Sequence, residues 1–158
     1  MQKYIIDGYN FIHLISHYKR QLEVDLESAR RQLIHDLTIY RASRQLQITL
    51  VFDGIPAAHY QEPERGIQII FSADPQKADA IIKQLISKEK RKACVTVVTN
   101  DNEIINFAKQ SGSHCLSCQD FYQRLNAKSE DYLIRNKFNH QMSAEELAEW
   151  KKIFGIDE

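Results

Sequence analysis

Four short segments of this chain are apolar almost without interruption, and they constrain its fold more than any other feature. They are Tyr4–Asp7 (YIID), Ile48–Asp53 (ITLVFD), Ile67–Ser72 (IQIIFS) and Val95–Thr99 (VTVVT). Each is rich in β-branched residues and shows little alternation. That pattern is expected of strands covered on both faces, as in a parallel sheet. A fifth, weaker strand is predicted at Ser113–Leu116, just after Gly112.

Helical spacing fills the intervals. From Asp25 to about Gln45, Leu26, Ala29, Leu33, Leu37 and Tyr40 recur three and four residues apart. Ile81, Ile82, Leu85 and Ile86 mark a second helix between Lys77 and about Lys90. Ile104, Ile105, Phe107 and Ala108 mark a third over Asn102–Gln110, and Phe121 and Leu125 a fourth over Ser117–Ala127. Ser143 and Glu146 form an S-x-x-E capping box for a last helix through Trp150 and Phe154. Strands alternating with helices predict an α/β sandwich with a mainly parallel central sheet. At 158 residues the chain is expected to form one domain. Residues 1–127 form its body, Lys128–Met142 read as a connector, and the last helix packs back within 128–158. Ala57–Gly66 (AAHYQEPERG) reads as a surface loop between two strands.

Charge excludes one easy inference. Lys and Arg total 21, as do Asp and Glu, so no global basic excess marks a nucleic-acid binder. Any such function has to come from local separation of charge. Three cysteines, Cys94, Cys115 and Cys118, are a poor disulfide framework and point to a reducing cytoplasm. The N-terminus (MQKYIIDGYNFIHLI) is interrupted by Asp7 and Asn10, and no small-residue cleavage site follows. No apolar run reaches the roughly 18 residues of a membrane helix. No membrane partner is expected. No G-x-G-x-x-G or P-loop pattern occurs either, so no nucleotide cofactor is expected.

The acids stand at the strand ends. The first strand runs into Asp7, the second into Asp53, and the fourth into Thr99-Asn100-Asp101. Asp79 opens the helix after the third. In an open parallel sheet these ends share one edge, where ligands bind. Asp7, Asp53, Asp79 and Asp101 are therefore expected to converge, with Asn10 one turn beyond Asp7. Carboxylates held close together require raised pKa values or a cation. Oxygen ligands favour Mg²⁺ or Mn²⁺. Such a metal suits phosphodiester hydrolysis, because it activates water and stabilises phosphoryl charge. Plainer roles compete with this one. Asp101 can be a helix N-cap, Asp79 can complement a helix dipole, and Asp7 and Asp53 each precede a Gly as in D-G turns.

These residues resemble a known family. Ile5-Ile6-Asp7-Gly8-Tyr9-Asn10 is similar to the IDGYN opening of the NYN domains, in particular the bacterial YacP-like group. Val51-Phe52-Asp53-Gly54, Phe71-Ser72, Lys77-Ala78-Asp79-Ala80-Ile81-Ile82 and Val97-Val98-Thr99-Asn100-Asp101 follow in that family's order. The likeness extends to the terminal Glu149-Trp150 and Phe154. It implies a PIN-like three-layer fold and metal-dependent endoribonuclease activity on messenger RNA in association with ribosomes. It also implies that Asp7, Asp79 and Asp101 bind metal, while Asn10 and Asp53 match further site positions. Two positions depart from the pattern. Ala80 stands where a second acid often follows, and Asn100 where Ser is common. These departures keep open an alternative, an RNA- or ribosome-binding module with a degenerate site.

Phosphate contacts are expected from segregated basic stretches. Lys77–Lys92 carries six basic residues against two acidic, a net +4, including Lys83, Lys88 and Arg91. Ser143–Glu158 carries five acidic against two basic, a net −3. Lys19, Arg20, Arg30 and Arg31 form a second basic set. The plainer account of Lys88–Lys92 is a helix C-terminus that favours cations. Tyr9, Tyr18 and Tyr60 are candidate stacking rings. An aspartyl-phosphate phosphatase is disfavoured, because Tyr9 and Ile55 stand where a second acid is needed. Cys115 and Cys118 form a lone C-x-x-C, which lacks the second pair of a zinc site. His13 and His17 stand four apart, but no third ligand is apparent.

Overall fold

The computed structural model describes residues 1–42, 44–56, 67–72 and 77–127. The predicted loop 57–66 with Tyr60, the connector and the terminal helix lie outside these residues. Five strands form one sheet: β1 (Gln2–Asp7), β2 (Leu46–Asp53), β3 (Ile67–Ser72), β4 (Val95–Val98) and β5 (His114–Leu116). Their order is β3-β2-β1-β4-β5, and every neighbouring pair is parallel. The chain lays β2 and β3 to one side of β1, then crosses to place β4 and β5 on the other. The switch point therefore falls between β1 and β4.

Successive residues along each strand serve opposite faces, which is why the strands read as continuously apolar. Tyr4, Ile6, Ile48, Leu50, Phe52 and Val98 belong to one buried cluster. Ile5, Val51, Val95 and Val97 belong to the other. The first cluster packs under α1 (Gly8–Leu14), α2 (Ser16–Leu22), α3 (Leu26–Ala42) and residues 118–127, which are helical and labelled α6. The second packs under α4 (Ala78–Lys88) and α5 (Asn102–Ser111). The result is the expected three-layer α/β sandwich.

Local chemistry sets the element ends. Asp101 caps α5, accepting from Glu103 N at 2.9 Å and Ile104 N at 3.3 Å. Gly112 ends α5 in the left-handed conformation at φ 90°. The helices α1 and α2 were not anticipated. Each has seven residues, too few to display a period, and Ile15 breaks them apart in extended geometry. Gly8 is required for α1 to lie on β2. A Cβ there would meet Val51 O at 2.9 Å and collide with the Phe52 ring.

Candidate active site

Parallel pairing brings the strand ends together. Asp7 is paired in register with Val51, two residues short of Asp53, and Ile6 is paired with Val98, just before Thr99. Asp7, Asn10, Thr99, Asn100 and Asp101 thus meet at the switch point.

Thr99 is fully buried and links the two strand ends. Its hydroxyl donates to Asp7 Oδ2 at 3.2 Å and accepts from Asp101 N at 3.1 Å. Asn10 Oδ1 accepts from Asn100 N at 2.8 Å and from the Cys118 thiol at 3.4 Å. With Oδ1 so engaged, the two Nδ2 protons of Asn10 have no partner among the described residues, and Asn10 meets the edge as a donor. Asn100 Oδ1 accepts from Cys118 N at 2.8 Å, and its Nδ2 donates to Gln119 Oε1 at 2.9 Å. Asn100 thereby pins the start of α6 to the switch point. Thr99, Cys118 and Gln119 were not foreseen as site residues. Thr99 lies within the Val97–Asp101 motif, but its bond to Asp7 and the bonds of Cys118 and Gln119 span 18 to 108 positions, beyond the reach of any local pattern.

Asp53 closes the other side. Its Oδ1 accepts from Ser72 Oγ at 3.0 Å and from Ala78 N at 2.7 Å. Since Lys77, the N-cap of α4, makes no side-chain cap bond, Asp53 caps this helix from a neighbouring strand. It thereby fixes the first turn, where Asp79 lies, with Asp79 Oδ1 accepting from Ala80 N at 2.9 Å.

Burial pushes the Asp7 pKa up to about 6, and the charges of Asp101 and Asp53 add to the rise. The Thr99 hydroxyl and the backbone N–H of Asn10 pull the other way. Asp7 therefore lies within reach of the charges of both Asp53 and Asp101. Among the described residues no Lys or Arg forms an ion pair with any of them. Lys83 is nearby but bonded to Glu103 at 2.7 Å. That bond, and more weakly the charges of Asp79 and Asp101, raise its pKa. Cys118 stays a thiol, its pKa pushed to about 12 by burial and then by Asp7.

Metal fit has two sides. The donors on offer are hard carboxylate oxygens, none ion-paired to Lys or Arg among the described residues, the set that suits Mg²⁺ or Mn²⁺. Among the described residues, however, no three His, Cys, Asp or Glu side chains are grouped closely enough to hold an ion.

The basic candidates divide. Lys19 and Arg20 are exposed on α2. Arg30 is not an open cation, being only 6% exposed. Its guanidinium lies 5.2–5.5 Å from the ring centres of Phe71, Tyr9 and Phe52, and 3.5 Å from Glu27. It also donates to the Tyr9 hydroxyl. A guanidinium only donates, so the Tyr9 oxygen accepts and its own proton is directed elsewhere. Tyr9 in turn feels the charge of Asp53. Tyr18 is wholly buried and donates to Asp36, so it is not an available stacking ring. The structure does not bring Lys88 and Arg91 to the carboxylates. Lys88 lies nine helical residues from Asp79, roughly 14 Å along α4, toward the opposite sheet edge. Its neighbour Lys92 instead caps α4, donating to the carbonyls of Ile86, Ser87 and Glu89. Cys94, Cys115 and Cys118 are free thiols.

An open, all-parallel sheet with acids converging at its switch point defines a nuclease-type α/β domain. The chain belongs to the YacP-like NYN domain family, whose model matches residues 4–155. The solved structures agree on the fold. The crystal structure of Rae1 (YacP) from Bacillus subtilis is 20% identical, with a TM-score of 0.74 over 98% of this chain and 91% of that one. Its W164L mutant is also 20% identical, with a TM-score of 0.69 over 98% and 92%. A comparison with curated proteins finds no match. Among the described residues no helix is long and apolar enough to cross a membrane.

Proposed function

We propose that this chain is a metal-dependent endoribonuclease that hydrolyses RNA phosphodiester bonds in the cytoplasm, with messenger RNA, engaged on the ribosome, as its substrate. The observation that carries this reading is Asp7. It is part-buried at the switch point, within reach of the charges of Asp53 and Asp101, and no basic side chain among the described residues compensates it. Asp7, Asp79 and Asp101 would hold Mg²⁺ or Mn²⁺. The ion supplies an activated water and offsets charge on the phosphoryl group.

The chain's own groups divide the remaining work. Asn10, held by Asn100 and Cys118, offers its Nδ2 protons to a phosphate oxygen. Thr99 keeps Asp7 oriented and joins it to the turn that carries Asp101. Asp53 sets the start of α4 and with it Asp79. The Tyr9 hydroxyl, with its oxygen occupied by Arg30, offers a proton beside Asp53.

The test is cleavage of messenger RNA, free and on purified ribosomes, with Mg²⁺ or Mn²⁺ and with excess chelator. Wild type should cleave only with metal, and Asp7→Asn and Asp101→Asn should not cleave. Undiminished cleavage in those variants or in chelator would refute the reading. Metal-independent RNA binding without any cleavage would instead establish the degenerate binding module. That second reading is favoured by Ala80 and by the absence of a closed ligand group among the described residues.

A further inference from the structure

Beside the carboxylate edge a cleft of about 420 Å³ opens between α2 and α6. Its polar lining comes from Ser16, His17, Arg20, Gln119, Tyr122 and Gln123. We propose that it is a nucleotide subsite, taking the base and phosphate of a residue adjoining the scissile phosphate of single-stranded RNA. The proposal rests on the nuclease reading above and extends it to how the strand is held.

Position comes first. Gln119 lines the cleft and accepts from Asn100 Nδ2 at 2.9 Å, while Asn100 N donates to Asn10 Oδ1 at 2.8 Å. One hydrogen-bonded pair therefore divides the cleft from the acids, and a strand leaving the acids on the α6 side meets Gln119 next. Volume agrees as well, since small-ligand sites span roughly 300–1,000 Å³.

The chemistry is that of single-strand recognition, which combines stacking, amide contacts to base edges and a cation for phosphate. The His17 and Tyr122 rings stand 6.3 Å apart at 25°. Gln119 and Gln123 bring two amides. The bond to Asn100 fixes the polarity of the first, because its Oε1 accepts and its Nε2 donors remain for a ligand. Arg20 is exposed and enters no ion pair among the described residues. Among the described residues no carboxylate lines the cleft, Asp36 standing behind His17 at 3.8 Å. Charge thus changes sign across the Asn100–Gln119 pair. The acidic side suits a cation, and the other side suits a phosphate.

Arg20→Ala and Gln123→Ala test the subsite in the full chain, since both side chains are exposed and circular dichroism can verify the fold. The probes are fluorescein-labelled single-stranded RNA oligonucleotides of differing base composition. Anisotropy in excess chelator gives affinity without cleavage. Arg20→Ala should weaken binding roughly tenfold on every sequence and lower the salt slope by about one. Gln123→Ala should narrow the affinity differences among bases and leave the salt slope unchanged. Cleavage with metal is measured in parallel. If wild type cleaves RNA while both variants keep its affinity, salt slope and base preference, the subsite is wrong and the nuclease reading stands. If wild type neither binds nor cleaves RNA, both fall.

Discussion

Asp7 and Asp36 are both part-buried acids whose pKa burial lifts to about 6, yet their surroundings differ. Asp36 is answered by the structure itself. Tyr18 donates to one oxygen at 2.7 Å and Gln32 to the other at 2.9 Å, tying α2 to α3. Asp7 accepts from the Thr99 hydroxyl at 3.2 Å and from the Asn10 backbone N–H, and two neighbouring carboxylates push its pKa further up. Burial alone therefore does not mark a functional acid. What separates the two is the neighbouring charge: Asp36 is met by neutral donors, whereas Asp7 has the like charges of Asp101 and Asp53 beside it.

Substitution should split the pair most sharply at Asp7 itself. Asp7→Asn is expected to lower metal-dependent cleavage by on the order of 10³-fold. The same variant should gain about 1–3 kcal/mol of stability at pH 7, because it removes a charge the fold disfavours. Urea unfolding reads the second effect, and a loss of stability would break the contrast. Arg30 is a buried charge of the Asp36 kind, met by three rings, Tyr9 and Glu27. Arg30→Ala should cost about 3 kcal/mol by the same measurement, since it strands Glu27. Asp36→Ala should cost about 2 kcal/mol by leaving the Tyr18 hydroxyl unmet, opposite in sign to Asp7→Asn.

The pH dependence sharpens the contrast further. Both native pKa values lie above the ordinary 3.8. Between about pH 4 and 6 the native state therefore holds more protons than the unfolded chain. Stability from these two groups is full below that window, falls as pH rises through it, and is lost above pH 6. Asp7→Asn should remove about half of that slope in unfolding experiments run across the window. The smallest effect is expected at Thr99. Thr99→Val should cost about 1 kcal/mol. It should also move the Asp7 titration upward when followed by carboxyl-carbon NMR, whereas an unmoved titration would show that Thr99 does not hold Asp7.

Much of this was legible in the residues. Buried parallel strands declare themselves through unbroken β-branched runs, and their shared polarity places Asp7, Asp53 and Asp101 at one edge. Asp101 illustrates the limit of that reading, because it is also the N-cap of α5, and residue type alone cannot separate the two roles. Charge alone suggests a phosphate contact for Arg30. It stands three and seven residues before Leu33 and Leu37, both fully buried, so helical spacing already placed it on the inward stripe. Charge likewise singles out Lys88 and Arg91, but the length of α4 carries them away from the acids. Asn100 was noted only as a departure from the family pattern. Its bonds to Cys118 and Gln119 depend on how two distant segments dock, and short-range pattern does not encode that.

The ties from Asn10 and Asn100 to the first residues of α6 also bear on timing. A chain made from its N-terminus has Asp7 and Asn10 almost at once. Asn100 then supplies the first bond to Asn10, but the groups that pin Asn100 and complete the hold on Asn10 arrive only with Cys118 and Gln119. Any product truncated before that point would carry the acids without the scaffold that aims them. On the nuclease reading proposed above, cleavage would be deferred until these residues of α6 have been made.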